Sequence, residues 1–553
     1  MATYQQPETK EIIVQKRQRW LVPWLLLIVC ISELFYLLLV GLTPLRGLHL
    51  SNSPLVTVAP WTLTPFYLLL AGLQPLFGSL LDHTWFASLL LSAAISGMVV
   101  LYLIAIVLIV RRRPSPTRKW LYLLLGGTLL FGVTLLFQPR LFSDDVFTYI
   151  FSGRILTVYG ADPLNTVPGH YPADPYLVWV LSGRNEPNIY GPLWICVTAL
   201  LAGISNVPII SLFLFKGLAL LAHLINCVLI WGILSEIAPS RRILGTLLYA
   251  WNPLVVIELA GSGHNEGFLL VLFLLATWLY IRYVRTHRRW LLLSMLVVFG
   301  LAISTNLLAL LLAPLYLWFD MRTERSMSRV VQGFCARLAL MVVPAVLIAL
   351  PFWRGASTFF AVTSAVDIQH FVHSPVGTLA IPIRAFFQFV ATVEHFPPLL
   401  QPVAAADVAL RASALFIFVL IYTRLFGKLR HASGSAALQK KRMEVIDTEM
   451  RLPAFDVLFY SCSVAVFWYL ILVSGWFWPW YLLWLLWIAV LRRLDAFTIA
   501  ILILSSTALF LYTFVGFTRG PIATYQAALI FGIPLIFLII ARIRRQKGSV
   551  LPV

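Results

Sequence analysis

Apolar runs of about 20 residues recur along most of the chain, and each is long enough to cross the hydrocarbon core of a bilayer as one helix. Of the 553 residues, 60% are hydrophobic and only 11% are charged. Soluble domains carry about a quarter charged residues, so a soluble fold is excluded. The sequence predicts an all-α polytopic integral membrane protein with about 11–13 transmembrane helices and short helices in its external loops.

The basic residues indicate which loops face the cytoplasm. The formal net charge is +19, but the Lys and Arg residues form short clusters between apolar runs, as in the cytoplasmic loops of membrane proteins. No basic stretch is long enough to form a nucleic-acid surface. These clusters predict a multi-pass protein of the cell membrane with both termini in the cytoplasm. They lie at residues 10–19, 111–119, 281–289, 424–442, 492–493 and 541–547.

Counting the crossings between these clusters gives a domain organisation. Two segments are predicted to lie on the external side of the membrane, residues 139–189 and 351–403. The second includes an amphipathic stretch near 381–397. Regions 62–81 and 190–242 are compatible with more than one number of membrane crossings. Region 291–319 is best interpreted as two short helices that turn near 303–306. The predicted parts are a cytoplasmic tail (1–19), N-terminal transmembrane helices (20–118), a catalytic transmembrane module (119–423), a cytoplasmic linker (424–451), and C-terminal helices with a basic tail (452–553).

The stretch SDDVFTYIFSGRIL places two adjacent carboxylates, Asp144 and Asp145, near the start of a predicted external helix. Helix capping would explain one of them, because carboxylates accept hydrogen bonds from first-turn N–H groups. A second carboxylate at the membrane surface suits a general base, which takes a proton from an attacking hydroxyl. Tyr149 lies one turn further on, and Arg154 near the helix end is a candidate for binding an anion.

Two turn sequences, YGADPL (159–164) and NIYGPLW (188–194), flank a loop rich in aromatic and acidic residues. Aromatic rings beside acceptor side chains suit sugar binding, because C–H faces stack on the rings while hydroxyls form hydrogen bonds. Aromatic residues at the membrane interface show the same composition, so both interpretations stay open. Tyr190 is the candidate substrate-binding residue of this region.

The stretch WNPLVVIELAGSGHNEGF (251–268) carries ionisable residues within apolar surroundings. Such residues are costly in a membrane and are usually functional. Gly261 and Gly263 interrupt the helix just before His264, Asn265 and Glu266, which we predict to bind substrate. A purely structural helix break is the alternative. A metal site is less favoured, because the stretch has neither an HExxH motif nor a paired-His spacing.

A further polar group lies in the external segment 351–379. Asp367, His370 and His373 share one face of a helix by their spacing, which is compatible with a divalent metal. We favour contact of His373 and Arg354 with a phosphate, and an interfacial location is the remaining alternative. The aromatic stretch SGWFWPWYLLW (474–484) is typical of a membrane interface and by itself assigns no function.

These motifs occur in the order found in a known family: SDDVFTYIFSGRIL, YGADPL, YGPLW, NPLVVIELAGSGHNE, HSPVGTL and PWYLLW. From about residue 120 to 495 the chain resembles the bacterial polyprenol-phosphate-mannose-dependent α-1,6-mannosyltransferases, which are membrane glycosyltransferases of the GT-C superfamily. The resemblance implies that Asp145, rather than Asp144, is the catalytic base. This chain carries Glu266 where Asp is more usual, and Thr305 and Asn306 where related enzymes have a basic residue.

The resemblance implies a transfer reaction at the external face of the membrane. The partners are then a polyprenyl-phosphate sugar donor, a glycan or glycolipid acceptor, and membrane lipids, with no nucleic acid. One displacement by one base implies inversion, so an α-product requires a β-linked donor. Fixed cations stabilise the leaving phosphate. No cofactor is implied, although a divalent metal is not excluded. The candidate cations are Arg154, His264, Arg354 and His373.

The main alternative is a transporter or flippase of lipid-linked sugars. Transporters usually contain an internal repeat with matched broken helices, and the two halves of this chain show no convincing repeat. The ionisable residues also gather at one face rather than at mid-membrane. A structural or assembly factor of the envelope would leave the carboxylate pair and the HNE sequence without a role.

Overall fold

The computed structural model describes residues 20–42, 84–138, 141–181, 183–322, 324, 326–358, 371–394, 401–440, 452–514 and 521–546. Within these ranges the protein is helical and contains no strand, apart from one isolated bridge between Val372 and Trp476. Eleven helices are long and apolar enough to cross a membrane, or twelve if one bent pair counts as a span. The prediction of an all-α polytopic membrane protein is confirmed.

Nineteen α-helices lie in the described ranges. The first ten are α1 (Leu21–Leu42), α2 (Thr84–Arg112), α3 (Arg118–Leu136), α4 (Asp145–Thr157), α5 (Pro192–Ala202), α6 (Pro208–Ile237), α7 (Arg242–Ala250), α8 (Pro253–Val256), α9 (Glu266–Thr286) and α10 (Arg289–Ile303). The others are α11 (Ala309–Met321), α12 (Met327–Ala349), α13 (Pro375–Glu394), α14 (Pro402–Lys440), α15 (Leu452–Trp468), α16 (Leu483–Ala489), α17 (Ala496–Leu509), α18 (Leu511–Phe514) and α19 (Pro521–Gln546).

The chain forms two compact units, which we describe separately. The first comprises residues 1–143 and 216–263, and the second comprises residues 144–215 and 264–553. In the first unit, α1 packs against α2 and α3, and α3 packs against α7. In the second, α4 packs on α5, and α9, α10 and α12 form successive neighbours.

The WNP sequence of the first unit is a structural break between α7 and α8, which are bent by 52°. A helix broken within a membrane exposes carbonyl groups that water cannot satisfy. Neighbouring side chains satisfy them here: Tyr102 donates to Leu248 O at 2.8 Å and Thr128 donates to Ala250 O at 3.2 Å. Asn252 caps α8 by accepting from Leu254 N. The structural interpretation therefore accounts for this half of the 251–268 stretch.

A buried lysine binds the carboxyl end of α3 in the same unit. Lys216 is fully buried in α6 and its ammonium donates to the carbonyls of Leu135 and Gln138, at the carboxyl end of α3. Cations stabilise helix carboxyl ends, because the last carbonyls carry a partial negative charge. Its contacts thus give this intramembrane lysine a structural role that the sequence patterns do not indicate.

The helix boundaries resolve two of the segments that allowed several crossings. Region 190–242 contains the short helix α5 and the long helix α6. Region 291–319 contains α10 and α11, separated near 304–308, as predicted. Region 62–81 lies outside the described residues. Helix α14 extends to Lys440, so the first part of the predicted linker is helical. Helix α13 is long and apolar enough to span a membrane, although it lies in a segment predicted to be external.

Candidate functional site

Asp145 is the first residue of α4, and two side chains converge on its carboxylate. Tyr190 donates its hydroxyl hydrogen to Asp145 Oδ2 at 3.3 Å. His264 Nδ1 lies 3.5 Å from the same oxygen. The Asp145 side chain is 22% exposed, whereas that of His264 is fully buried. The Asp145 carboxylate is therefore accessible to solvent, whereas the imidazole beside it is not.

Asp144 occupies a different environment from its neighbour. Its side chain is buried and makes no capping hydrogen bond to α4. Instead Asp144 Oδ2 accepts a hydrogen bond from Leu181 N at 3.2 Å, and its main-chain carbonyl accepts from Phe147 N at 2.9 Å. The Asp144 carboxylate thus fastens the loop after α4 rather than the first turn of the helix.

Two tyrosines support the Asp145 carboxylate in series. The Tyr149 hydroxyl donates to the Tyr190 hydroxyl at 3.3 Å, which in turn donates to Asp145. The Tyr149 ring is buried between the edges of Tyr190 and Trp194. Desolvation and the nearby Asp145 carboxylate raise the pKa of the partly exposed Tyr190, so its hydroxyl keeps its proton. Tyr149 therefore contacts Tyr190, and the protonated Tyr190 hydroxyl donates to Asp145.

Glu266 and Trp480 also lie beside His264. Glu266 Oε2 lies 3.9 Å from His264 Nδ1, and its side chain is nearly buried. The imidazole stacks on Trp480 at 4.2 Å between centroids, and Trp480 stacks on Trp478 at 5.2 Å. Gly263, directly before His264, has φ +76°, which glycine adopts without strain. Asn265 is buried at the start of α9, where its carbonyl accepts from Phe268 N.

Trp480 and Trp478 come from the stretch SGWFWPWYLLW (474–484), whose composition is typical of a membrane interface. Pro479 starts a short helical turn that leads into α16, so the two indoles lie on either side of the first residue of this turn. The indication available in the sequence was the closely spaced Trp residues around a proline. Nothing in that spacing indicated His264 as the neighbour of Trp480.

Arg154 is buried in an ion pair with Asp174. Its Nε and Nη2 donate to Asp174 Oδ2 at 3.1 and 2.8 Å, and its Nη1 donates to Asn206 at 3.1 Å. The guanidinium also lies over the Tyr176 ring at 4.0 Å. These contacts occupy the guanidinium, so the structure gives no support to anion binding by Arg154. It joins α4 to the loop that follows.

His373 lies at the far end of the aromatic contacts from Asp145. Its ring meets Trp478 edge-on at 4.7 Å, and its backbone has φ +52°, an uncommon conformation for a residue other than glycine. Hydrogen bonds from Val372 N to Gly475 O and from Phe477 N to Val372 O pin the preceding residue. Burial lowers the pKa of His373, and a hydrogen bond with Gln526 acts against that effect.

Arg354 is not in contact with the Asp145 cluster. It is exposed, and its main-chain N–H donates to Thr358 at 2.8 Å. Arg354, predicted to contact a phosphate, therefore lies apart from Asp145 and His264, which are 3.5 Å from each other. Asp367 and His370, considered as metal ligands, lie outside the described residues. Elsewhere, among the residues that the structure describes, no group of three or more His, Cys, Asp or Glu is arranged to hold a metal ion.

Thr305 and Asn306 form a turn after α10. Thr305 donates its hydroxyl hydrogen to Leu301 O at 2.9 Å, and Asn306 Oδ1 accepts from Leu308 N at 2.9 Å. Both side chains therefore bind within their own segment. The main chain of this turn contacts Gly191, next to Tyr190.

Two comparisons with known proteins bear on this cluster. The family model of the α-(1→6)-mannopyranosyltransferase N-terminal domain matches residues 53–322. The match includes Asp145, Tyr190, His264 and Glu266, whereas Trp480 and His373 lie beyond it. The search of curated proteins found no match.

Proposed function

We propose that the chain, whose residues 53–322 match the α-(1→6)-mannopyranosyltransferase family model, is a member of that family and transfers mannose from a polyprenyl-phosphate donor. The acceptor is a hydroxyl of a glycan or glycolipid at the external face of the membrane. The protein is a glycosyltransferase with many membrane spans. The donor, the stereochemistry and the side of the membrane are the proposed parts.

One observation carries the proposal: the partly exposed carboxylate of Asp145 is held by two neighbouring side chains. A general base must be oriented and must remain accessible to the hydroxyl whose proton it takes. Tyr190 fixes one oxygen of the carboxylate, and His264 lies within 3.5 Å of it. Asp144 and Glu266 are both buried, so neither offers the same access.

The reaction is a single displacement. The acceptor oxygen forms a bond to the anomeric carbon of mannose while the bond from that carbon to the phosphate oxygen breaks. The hydroxyl proton passes to Asp145, and the bonding electrons leave with the polyprenyl phosphate. The transition state has oxocarbenium character. Because one displacement inverts the anomeric centre, a β-linked donor gives the α-product.

His264 supplies compensating charge in this scheme. Asp145 and Glu266 are both within 4 Å of its Nδ1, and two carboxylates alone would repel an anionic donor. A protonated imidazole offsets one of these charges and is further stabilised by the face of Trp480. Glu266 and Trp480 therefore position His264 and do not react themselves. No metal has a role in this scheme.

The test is transfer by the purified full-length protein in proteoliposomes. The donor is radiolabelled polyprenyl-phosphate mannose, and the acceptor is a membrane-impermeant mannoside added to one side only. Protease cleavage of an amino-terminal tag reports the orientation of the protein. We expect transfer only when the acceptor lies opposite the amino terminus. GDP-mannose replaces the lipid-linked donor in a parallel reaction, which we expect to give no product.

Asp145→Asn is compared with Asp144→Asn as the matched control. We expect Asp145→Asn to lower the transfer rate by about 10³-fold, in line with the loss of a general base. Asn at 144 still accepts the hydrogen bond from Leu181 N, so its loss of activity is expected to be much smaller. Transfer by Asp145→Asn at the parent rate would refute the base assignment. Donor translocation without any transfer would favour a transporter instead.

A further inference from the structure

Gly191 lies between Tyr190 and the start of α5, and the turn after α10 packs directly against it. Gly191 N donates to Thr305 O at 3.1 Å, and Leu193 N donates to Ser304 O at 3.0 Å. A Cβ atom at position 191 would lie 2.2 Å from Ser304 O and 2.9 Å from Thr305 O. Since φ is −68°, the backbone there is ordinary. The position requires glycine because any side chain would separate the two segments.

The segment that meets Gly191, which we name the 304–305 turn, is itself firmly held. Ser304 N donates to Gly300 O at 3.0 Å, and the Thr305 hydroxyl donates to Leu301 O. Ser304 and Thr305 are buried. Gly300 brings α10 close to α12, since a Cβ there would lie 2.1 Å from Met341 O. The 304–305 turn is thus a fixed support rather than a loose loop.

The peptide group that joins Tyr190 to Gly191 is held by two hydrogen bonds. Its N–H, on Gly191, donates to Thr305 O of the 304–305 turn, and its carbonyl, on Tyr190, accepts from Asn188 Nδ2 at 3.2 Å. The side chain then reaches Asp145 Oδ2. A contact of 3.3 Å is close to the upper limit for a hydrogen bond between oxygens. A small displacement of the Tyr190 backbone is therefore enough to break it.

From these contacts we infer that Gly191 is a positioning residue for sugar transfer. It lets the 304–305 turn hold Tyr190 against the Asp145 carboxylate. The inference rests on the proposed function, because the carboxylate acts as the base in that scheme. It assigns a task to the YGPLW sequence and to the turn at which a basic side chain of related enzymes is absent.

A merely structural role for Gly191 predicts a different result. Gly153 also makes a close contact, to Thr198 O in α5, and a substitution there would disturb only helix packing. If Gly191 acts through Tyr190, the effect of Gly191→Ala must depend on the Tyr190 hydroxyl. If it acts through stability alone, the effects of the two substitutions are independent. A double-mutant cycle separates these cases.

The experiment measures kcat, KM for the acceptor and thermal stability of four proteins. They are the parent, Gly191→Ala, Tyr190→Phe and the double variant. We expect Gly191→Ala to lower kcat about tenfold with KM changed less than about twofold, because small misplacements of catalytic groups reduce rate. In the Tyr190→Phe background the same substitution should cost less than about twofold. If the double variant instead loses about a hundredfold in kcat, which is the product of the two single losses, the inference is overturned.

Gly427→Ala is the matched control, because a Cβ at 427 in α14 meets no atom within 4 Å. It should leave kcat unchanged. If Gly191→Ala fails to fold, Asn306→Ala loosens the 304–305 turn from the other side by removing its bond to Leu308 N. This milder variant should lower kcat about threefold only when Tyr190 is present. An equal loss with Phe at 190 would also overturn the inference.

A readout independent of transfer uses 3-fluorotyrosine placed at position 190. Its ¹⁹F resonance should shift in Gly191→Ala and stay unchanged in Gly427→Ala. If the parent transfers no mannose, the proposed function fails and this spectrum alone decides the inference. An unchanged resonance in a folded Gly191→Ala protein refutes the positioning role.

Discussion

The two ends of α4 both carry charge, but their environments are opposite. At the amino end, Asp145 is partly exposed and its carboxylate lies 3.3 Å from the Tyr190 hydroxyl and 3.5 Å from His264 Nδ1. At the carboxyl end, Arg154 pairs with Asp174 of the following loop, which is fully buried and accepts hydrogen bonds of 2.8–3.1 Å from Arg154, Tyr159 and Tyr176 N. The helix therefore begins at a partly exposed carboxylate and ends at a buried ion pair.

This difference separates a partly exposed carboxylate from one that is buried in an ion pair. A buried pair whose atoms are saturated stabilises one conformation, and removing one partner leaves a costly unpaired charge. A carboxylate with longer contacts and access to substrate can exchange a proton. The sequence analysis predicted Asp145 as the catalytic base and Arg154 as an anion-binding residue, whereas the structure leaves Asp145 partly exposed and pairs the buried Arg154 with Asp174.

The largest expected effect sharpens this contrast at the amino end. Asp145→Asn should reduce transfer by about 10³-fold, equivalent to about 4 kcal/mol in the activation barrier. Its free energy of unfolding should stay within about 0.5 kcal/mol of the parent, because the side chain is partly exposed and Asn keeps an oxygen that accepts from Tyr190. Activity assays and unfolding in SDS measure the two quantities. A large loss of stability would make Asp145 a structural residue.

The opposite result is expected at the carboxyl end. Asp174→Asn should lower the free energy of unfolding by about 3 kcal/mol, since it leaves the buried Arg154 without a counter-charge. Detergent unfolding measures this change. Adding Arg154→Met in the same protein should recover part of the loss, because the pair is then removed as a whole. If Asp174→Asn is as stable as the parent, the pair is not the structural clamp that its contacts indicate.

Two tyrosines allow the same comparison with a smaller perturbation. Tyr190→Phe removes a donor from Asp145, and we expect about a tenfold loss of kcat with little change in stability. Tyr159→Phe removes a donor to Asp174 Oδ2, which accepts it at 2.8 Å. It should cost about 1 kcal/mol of stability and leave kcat nearly unchanged. Equal effects of the two variants on kcat would contradict the difference proposed between the amino and carboxyl ends of α4.

The smallest expected effect concerns metal ions. Treatment with EDTA followed by desalting should change transfer by less than about twofold, because charge compensation in the proposed mechanism comes from His264. Recovery of activity specifically on adding Mg²⁺ or Mn²⁺ would contradict this expectation. It would indicate that Asp145 and Glu266 serve a cation rather than the imidazole.

Much of the helical framework could be predicted from local patterns. The predicted spans near 20–42, 85–110, 120–138 and 452–474 lie close to α1, α2, α3 and α15 with its following turn. Span length follows from bilayer thickness, which a local run of apolar residues records directly. Less could be predicted for 351–403, because α13 combines amphipathic character with enough length to span. Polar turns and basic clusters alone did not distinguish an external amphipathic helix from a membrane span.

The sequence by itself determined a helical membrane protein and singled out Asp145, His264 and Glu266, because apolar length and costly charges are properties of short segments. The tertiary structure decided which of these residues lie together. It placed His264 beside Asp145 and Trp480, and it paired Arg154 with Asp174 instead of leaving it for an anion. The role of an ionisable side chain depends on its neighbours in space, and those come from segments far apart in the chain.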